Sequence, residues 1–371
     1  MNTTFELNNA MQDPERKVDK KSPAFEVFSA MVNGRDIPES FHRNGKEIKG
    51  EVVRKHICNL GFRAESGDYK AVSELNTLRR SIIEEPMMNE LKLLSVFGQY
   101  QNIGINESIQ REVYKHVGER SRFQAEGNGD VPFNALTKEV YGVPTFNVSG
   151  GYAVDYRQVA LGDMERENIG LNQVRIDIRN KIVMNIITKV YNAIKNAAGV
   201  KNQFEAAGLT KTGVDGLITK MRRFGKVTVL GDYALLSQFS GFAGYQTSIN
   251  SNVITGISEK IMNEIQQNGI MGMYNGSILS EIPNQYNFFE TNTDGTEFKT
   301  LYPVGLGFVV PTGINSPIAT WTQGGLTSLT GNDVVTGKLM TRFDMTAAVD
   351  VAKGQEYMIG AMYDTNLGGL A

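Results

Sequence analysis

A chain of 371 residues exceeds what one hydrophobic core ordinarily organises, so two or more sub-domains are expected. Its 41% hydrophobic and 9% aromatic content supports packed cores and excludes global disorder. A formal net charge of -2 removes any broad reason to expect polyanion binding, and the distribution sharpens this: 5 Lys+Arg stand against 11 Asp+Glu in residues 251–371, and 23 against 20 in residues 61–250.

The single cysteine, Cys58, excludes an internal disulfide, so stability rests on packing, as suits a reducing cytoplasm. Met1 to Lys21 lacks the apolar core of a signal peptide, and no stretch reads as a bilayer-spanning helix. The sequons at Asn2, Asn106, Asn147 and Asn275 are therefore read as chance, and a soluble intracellular product is expected.

In chain order, residues 1–22 are polar and dense in mixed charge, and are expected to form a partner-dependent arm. Short helices are expected at 24–32 and 46–59, set apart by Asn33-Gly34 and Asn44-Gly45. A longer helical region covers 69–100 and restarts at Pro86. The first hundred residues thus read as a loosely organised extension. Residues 117–150 read as a long, polar β-hairpin that needs a partner surface, because isolated hairpins are marginal in water.

The strongest helix covers 168–198, with Ile176, Val183, Ile186, Ile187, Val190, Tyr191 and Ile194 on its apolar stripe and Gly199 at its end. About 30 residues give a rod of roughly 45 Å. Thr212 is expected to cap a helix carrying Val214, Leu217, Ile218 and Met221, and Asp232 one carrying Leu235, Leu236 and Phe239. A strand at 225–230, a helix at 256–267 and a hairpin at Asn275-Gly276 complete a mixed unit with one sheet. Residues 338–351 keep a two-residue period, with Leu339, Thr341, Phe343, Met345, Ala347, Val349 and Val351 on one face, over roughly 45 Å. A second strand follows at 357–363. Rod and strand of matching length suggest one thin, elongated layer.

This order of elements resembles the major capsid proteins of tailed bacteriophages with the HK97-type fold. The resemblance runs over about 105–365 and lies in the arrangement rather than in any invariant signature. It is carried by "NQVRIDIRNKIVMNIITKVYNAI", "GKVTVLGDYALLSQF", "NGIMGMYNGSILSEIP", "GKLMTRFDMTAAVDV" and "EYMIGAMY". It implies an α+β fold divided into an N-terminal arm and helical extension (1–104), an extended hairpin or E-loop (105–150), a P domain with a spine helix (151–207), an A domain (208–335) and returning P-domain strands (336–371). It implies a non-enzymatic subunit that forms hexamers and pentamers around packaged double-stranded DNA, assembled in the host cytoplasm and resident in the virion. Portal, scaffold and decoration proteins are the implied further partners, with no cofactor and no membrane. An encapsulin-type shell enclosing protein cargo is the rival reading, and a soluble α/β enzyme the second class. The arm is longer than an extended arm requires, and a scaffold-like segment removed at maturation would account for that.

Lys115, Glu119, Arg120, Arg122, Lys138 and Glu139 are the candidate inter-subunit contacts of the E-loop. Lys138 occupies the element that bears the cross-linking lysine in some relatives, but no asparagine and carboxylate complete that chemistry. Arg175, Arg179, Lys181 and Lys189 on the spine could face DNA through phosphate contacts, against the commoner reading of a solvated helix face. No catalytic or metal residue is nominated. His42, His56 and His116 lack metal spacing, and Gly305-Leu306-Gly307 meets Val310 where a dinucleotide loop needs glycine, so these are read as strand or loop glycines. Glu84-Glu85 and Asp13-Glu15 sit in solvated stretches, and fifteen scattered methionines read as core fillers.

Overall fold

The computed structural model describes residues 22–43, 46–91, 98–117, 135–155, 160–162, 164–246, 270–282, 284–292, 294–311, 316–333 and 338–367. The polar arm and the expected helix at 256–267 lie outside them.

Helix α1 (Pro23–Val32) begins where Ser22 accepts a hydrogen bond from the Phe25 amide, with proline at the first helical position. The helix expected from residue 46 instead starts at Gly50. Lys46–Lys49 (β2) pairs antiparallel with Ser40–Arg43 (β1), and α2 follows as Gly50–Glu65. Helix α3 (Tyr69–Leu91) runs through Pro86 without restarting. The picture of a loosely attached extension is overturned. Val27, Phe28, Val53, Ile57, Leu75, Leu78, Met87 and Leu91 belong to the same buried cluster as the long central helix. Periodicity locates such helices but not what their apolar faces meet.

That helix, α4 (Glu165–Lys195), is 31 residues long, or about 46 Å. Its buried stripe passes through Leu171, Val174, Ile178, Ile182, Ile186, Val190 and Ile194, while Ile176, Val183 and Tyr191 flank it half-buried. It lies against a four-stranded sheet ordered β3 (Gln99–Ile103), β15 (Ile318–Asp333), β16 (Lys338–Val351) and β6 (Thr145–Asp155). Phe343, Met345, Ala347, Val349 and Val351 of β16 point into the core, as the two-residue period requires. The ladder between β15 and β16 shifts register between Gln323 and Leu326, where Gly324 and Gly325 both take φ +71, a conformation suited to glycine.

The second unit is a seven-stranded sheet ordered β7-β17-β14-β8-β11-β10-β9. Its strands are β7 (Asn202–Ala206), β8 (Val227–Gly231), β9 (Tyr245–Gln246), β10 (Ile270–Tyr274), β11 (Ser277–Glu281), β14 (Leu306–Pro311) and β17 (Gly360–Asp364). Strands β8, β14 and β17 are buried along their whole length, because Leu230, Phe308 and Ala361 join the α4 cluster while Val229, Val309 and Met362 join a second core. That second core holds α5 (Lys211–Arg222) and α6 (Tyr233–Ser237). Thr210, rather than Thr212, caps α5, and Asp232 caps α6 through the Ala234 amide at 2.8 Å. The turn between β10 and β11 is Asn275-Gly276, both residues at positive φ.

The last strand departs from expectation. Grouped with β16 as a returning strand of one unit, β17 instead sits between β7 and β14, and β16 is partnered by β15 and β6. Strand character is local, whereas the choice of sheet is made by long-range partners.

Candidate assembly surfaces

Strands β4 (Gln110–Val117) and β5 (Ala135–Gly142) pair antiparallel from Gln110↔Gly142 to Val117↔Ala135, so a long hairpin is present where one was expected. It starts earlier, and its second strand stops before Val143-Pro144, where the chain passes into β6 of the long sheet. Successive strand residues face opposite ways, which gives the stem two different faces.

One face is bolted down at the root. Ile109, Val143 and Tyr141 pack on Ala319, Trp321 and Ala348 of the long sheet. The buried Arg111 guanidinium donates to the Asp350 carbonyl at 2.9 Å and the Pro317 carbonyl at 2.8 Å, and lies 3.5 Å from the Asp350 carboxylate. Tyr141 donates its hydroxyl to the same carboxylate at 2.7 Å. Burial, with the Asp350 bond adding to it, pushes the Tyr141 hydroxyl up to about 12, and burial raises the Asp350 carboxyl against the pull of Tyr141, Arg111, Lys353 and Lys189.

The other face is free. Tyr114, Leu136 and Val140 are exposed there beside the Lys138–Glu112 ion pair at 2.5 Å. The far end of the long sheet carries a second apolar surface on the side away from α4. An open groove of about 810 Å³ is lined by Ser149, Gly151, Leu329, Gly331, Met340 and Arg342, and Leu329 is 65% and Met340 48% exposed. A third patch lies on the hairpin of β12 (Tyr286–Thr291) and β13 (Phe298–Thr300), where exposed Phe288 and Phe298 meet edge to face at 5.3 Å.

The candidate residues are scattered over these settings. Glu119, Arg120 and Arg122 lie outside the described residues, as does the Lys115 side chain. Lys138 faces outward in its ion pair, while Glu139 is half-buried on the opposite side of the strand. The spine cations are not gathered on one solvated face. Arg175 lines a cavity of about 290 Å³ between α1, α3 and α4, and Arg179 donates to Asn180 Oδ1 at 3.1 Å. Lys189 lies 4.8 Å over the Phe146 ring, its pKa lowered by burial against the pull of Asp350. Of the four, only Lys181 is exposed.

Two features escaped sequence reasoning altogether. One is the Arg111–Asp350 clamp. The other is a fully buried ion pair between Arg79 of α3 and Glu167 of α4, with Tyr152 donating to Glu167 at 2.5 Å and Arg79 to Thr341 at 3.0 Å. Burial works against the Arg79 charge, but Glu167 and Tyr152 hold its pKa above the usual value. The hydrogen-bonded pairs span 88 or more residues except Tyr152 and Glu167, so no local pattern advertised them. Gly305 lies in the turn before β14, while Leu306-Gly307 opens that strand with Gly307 packed on Leu235, in keeping with the loop or strand reading. Among the described residues no group of His, Cys, Asp and Glu could hold a metal, and no helix is long and apolar enough to cross a membrane.

The model of one protein family, described as "SPbeta prophage-derived putative capsid protein YonB", matches residues 12–363. The chain belongs to the YonB family. The capsid reading of the sequence is thereby borne out, and membership brings with it a structural role. No curated protein sequence matches the chain. Among solved structures, the bacteriophage PhiM1 mature capsid is 13% identical, with a TM-score of 0.46, 74% of this chain and 87% of that one covered. A solved structure from Mycobacterium phage Patience is 14% identical, with a TM-score of 0.44, covering 80% of this chain and 90% of that one. A virus-like particle from Pyrococcus furiosus is 8% identical, with a TM-score of 0.43, covering 76% and 97%. The YonB assignment rests on the family model rather than on these likenesses.

Proposed function

We propose that this chain is the shell-forming subunit of a phage-type virion, joined to its neighbours by the β4–β5 hairpin and the groove of the long sheet. YonB family membership supports the capsid role. The observation that carries the mode of assembly is the pair of exposed apolar surfaces on one thin layer: Tyr114, Leu136 and Val140 on the hairpin, Leu329 and Met340 in the groove. Both are open within a single subunit, so the hairpin does not cover its own groove. A contact of one subunit's hairpin with the next one's groove is heterologous, and such contacts close into rings when the rotation allows. Hexamers and pentamers around double-stranded DNA are the assemblies this reading assigns, with portal, scaffold and decoration proteins as further partners.

In this reading β4–β5 is the E-loop, α4 the spine of the P domain, and the seven-stranded unit the A domain. Sheet membership favours counting 318–333 with the P domain and 360–364 with the A domain.

Electron microscopy of the expressed chain tests the proposal. Closed shells are expected from the native sequence, and Leu329→Asp with Met340→Asp should abolish them while the subunit keeps its circular dichroism. A stable 41.0 kDa monomer at every concentration would overturn the reading. Shells filled with an enzyme rather than DNA would replace the phage role by a cargo compartment.

A further inference from the structure

We infer that Arg111 and Asp350 form a clamp that fixes the angle between the β4–β5 hairpin and the long sheet, so that the hairpin works as a rigid lever and not as a hinged flap. The role as an assembly lever rests on the proposed shell function; the rigidity of the root stands on its own.

Both strands of the hairpin are held at the root by different means. Strand β4 is held by Arg111, whose planar fork reaches the carbonyls of Pro317 and Asp350 together, one just before β15 and one near the end of β16. Strand β5 is held by Tyr141, which donates to the Asp350 carboxylate, accepts from the Lys353 amide at 3.3 Å, and lies 4.3 Å under the Lys353 ammonium. Asp350 is the shared anchor. Around these bonds sits the apolar plug of Ile109, Val143, Ala319, Trp321 and Ala348. The Val143 amide closes the root by donating to the Ile109 carbonyl at 3.0 Å. A flap needs a root with few contacts; this root has a buried charge, several charge-assisted bonds and a packed core.

The geometry makes the angle consequential. Eight paired residues give a stem of about 27 Å, so a tilt of about 10° at the root displaces its far end by about 5 Å. That is roughly the spacing of adjacent β-strands, enough to misplace an apolar face on its target. Arg111 and Asp350 are thus positioning residues for assembly, acting through the angle of the hairpin. Lysine cannot replace the arginine, because a single ammonium does not span two carbonyls as a planar fork does.

Two spin labels read the angle directly. One is placed at Thr137→Cys on the exposed stem and one at Ile169→Cys on exposed α4, in the full-length chain with Cys58→Ser, diluted with unlabelled protein. A single narrow distance is expected, and Arg111→Ala should replace it with a broad distribution. Should Arg111→Ala fail to fold, Arg111→Lys and Tyr141→Phe, which keep most of the packing, should give a partial broadening. In electron micrographs, the same variants should convert uniform particles into mixed sizes and open sheets. A distance that stays narrow in the variants that fold overturns the clamp. If the unaltered chain forms no shells, the assembly reading falls, while the distance measurement still decides whether the root is rigid.

Discussion

Replacing Arg79 by methionine tests whether the N-terminal helices are part of the folded body. The substitution keeps most of the apolar volume but leaves Glu167 fully buried, stripped of both guanidinium bonds and retaining only the Tyr152 hydroxyl. Breaking one partner of a buried pair costs about 3–5 kcal/mol. A loss of about 3–5 kcal/mol is therefore expected. Adding Glu167→Met should recover most of it, since two apolar groups then meet in place of an orphaned charge. Urea unfolding of the unassembled subunit measures this, with limited proteolysis reporting whether α1–α3 detach first. A loss below about 1 kcal/mol would refute the role given to the pair.

Four further outcomes follow from the packing and the helix caps. Removing residues 1–91 should leave an insoluble chain, because α3 supplies Arg79 and the Leu75, Leu78 and Met87 part of the main core. Mass spectrometry of purified particles should accordingly find Pro23–Leu91 retained, and a subunit beginning after Leu91 would contradict this. Gly307→Ala should cost about 1–3 kcal/mol by thermal unfolding, since its Cβ would meet Leu235 Cδ2 at 2.5 Å and Leu230 O at 3.1 Å. Asp232→Ala should cost about 1 kcal/mol through loss of the α6 cap, and an unchanged unfolding midpoint would show the cap to be idle.

Elements with strong periodicity were legible in the sequence. Thr341, Phe343, Met345, Ala347, Val349 and Val351 of β16 are buried as their alternation says, and α4 was placed within three residues at each end. The Asn275-Gly276 turn and the Asp232 cap were legible because each is a local preference of residue type for one backbone geometry. The candidate charges fared differently. Lys138 carries an outward ion pair, but Arg175, Arg179 and Lys189 are engaged with α1 and α3, with Asn180 and with Phe146, because helix periodicity does not say which neighbours will approach the polar flank.

By itself, then, the sequence determined the type of its most strongly periodic elements, the Asn275-Gly276 turn, the Asp232 cap, and the thin pairing of a 31-residue helix with a 14-residue strand. Those depend on interactions within a few residues of chain. Tertiary structure decided which sheet received β17, that α1–α3 belong to the main core, and that Arg111 and Asp350 meet across 239 positions. These choices are made by burial and hydrogen bonding between segments distant in sequence, where many alternative partners satisfy the same local pattern and only the packed whole selects one.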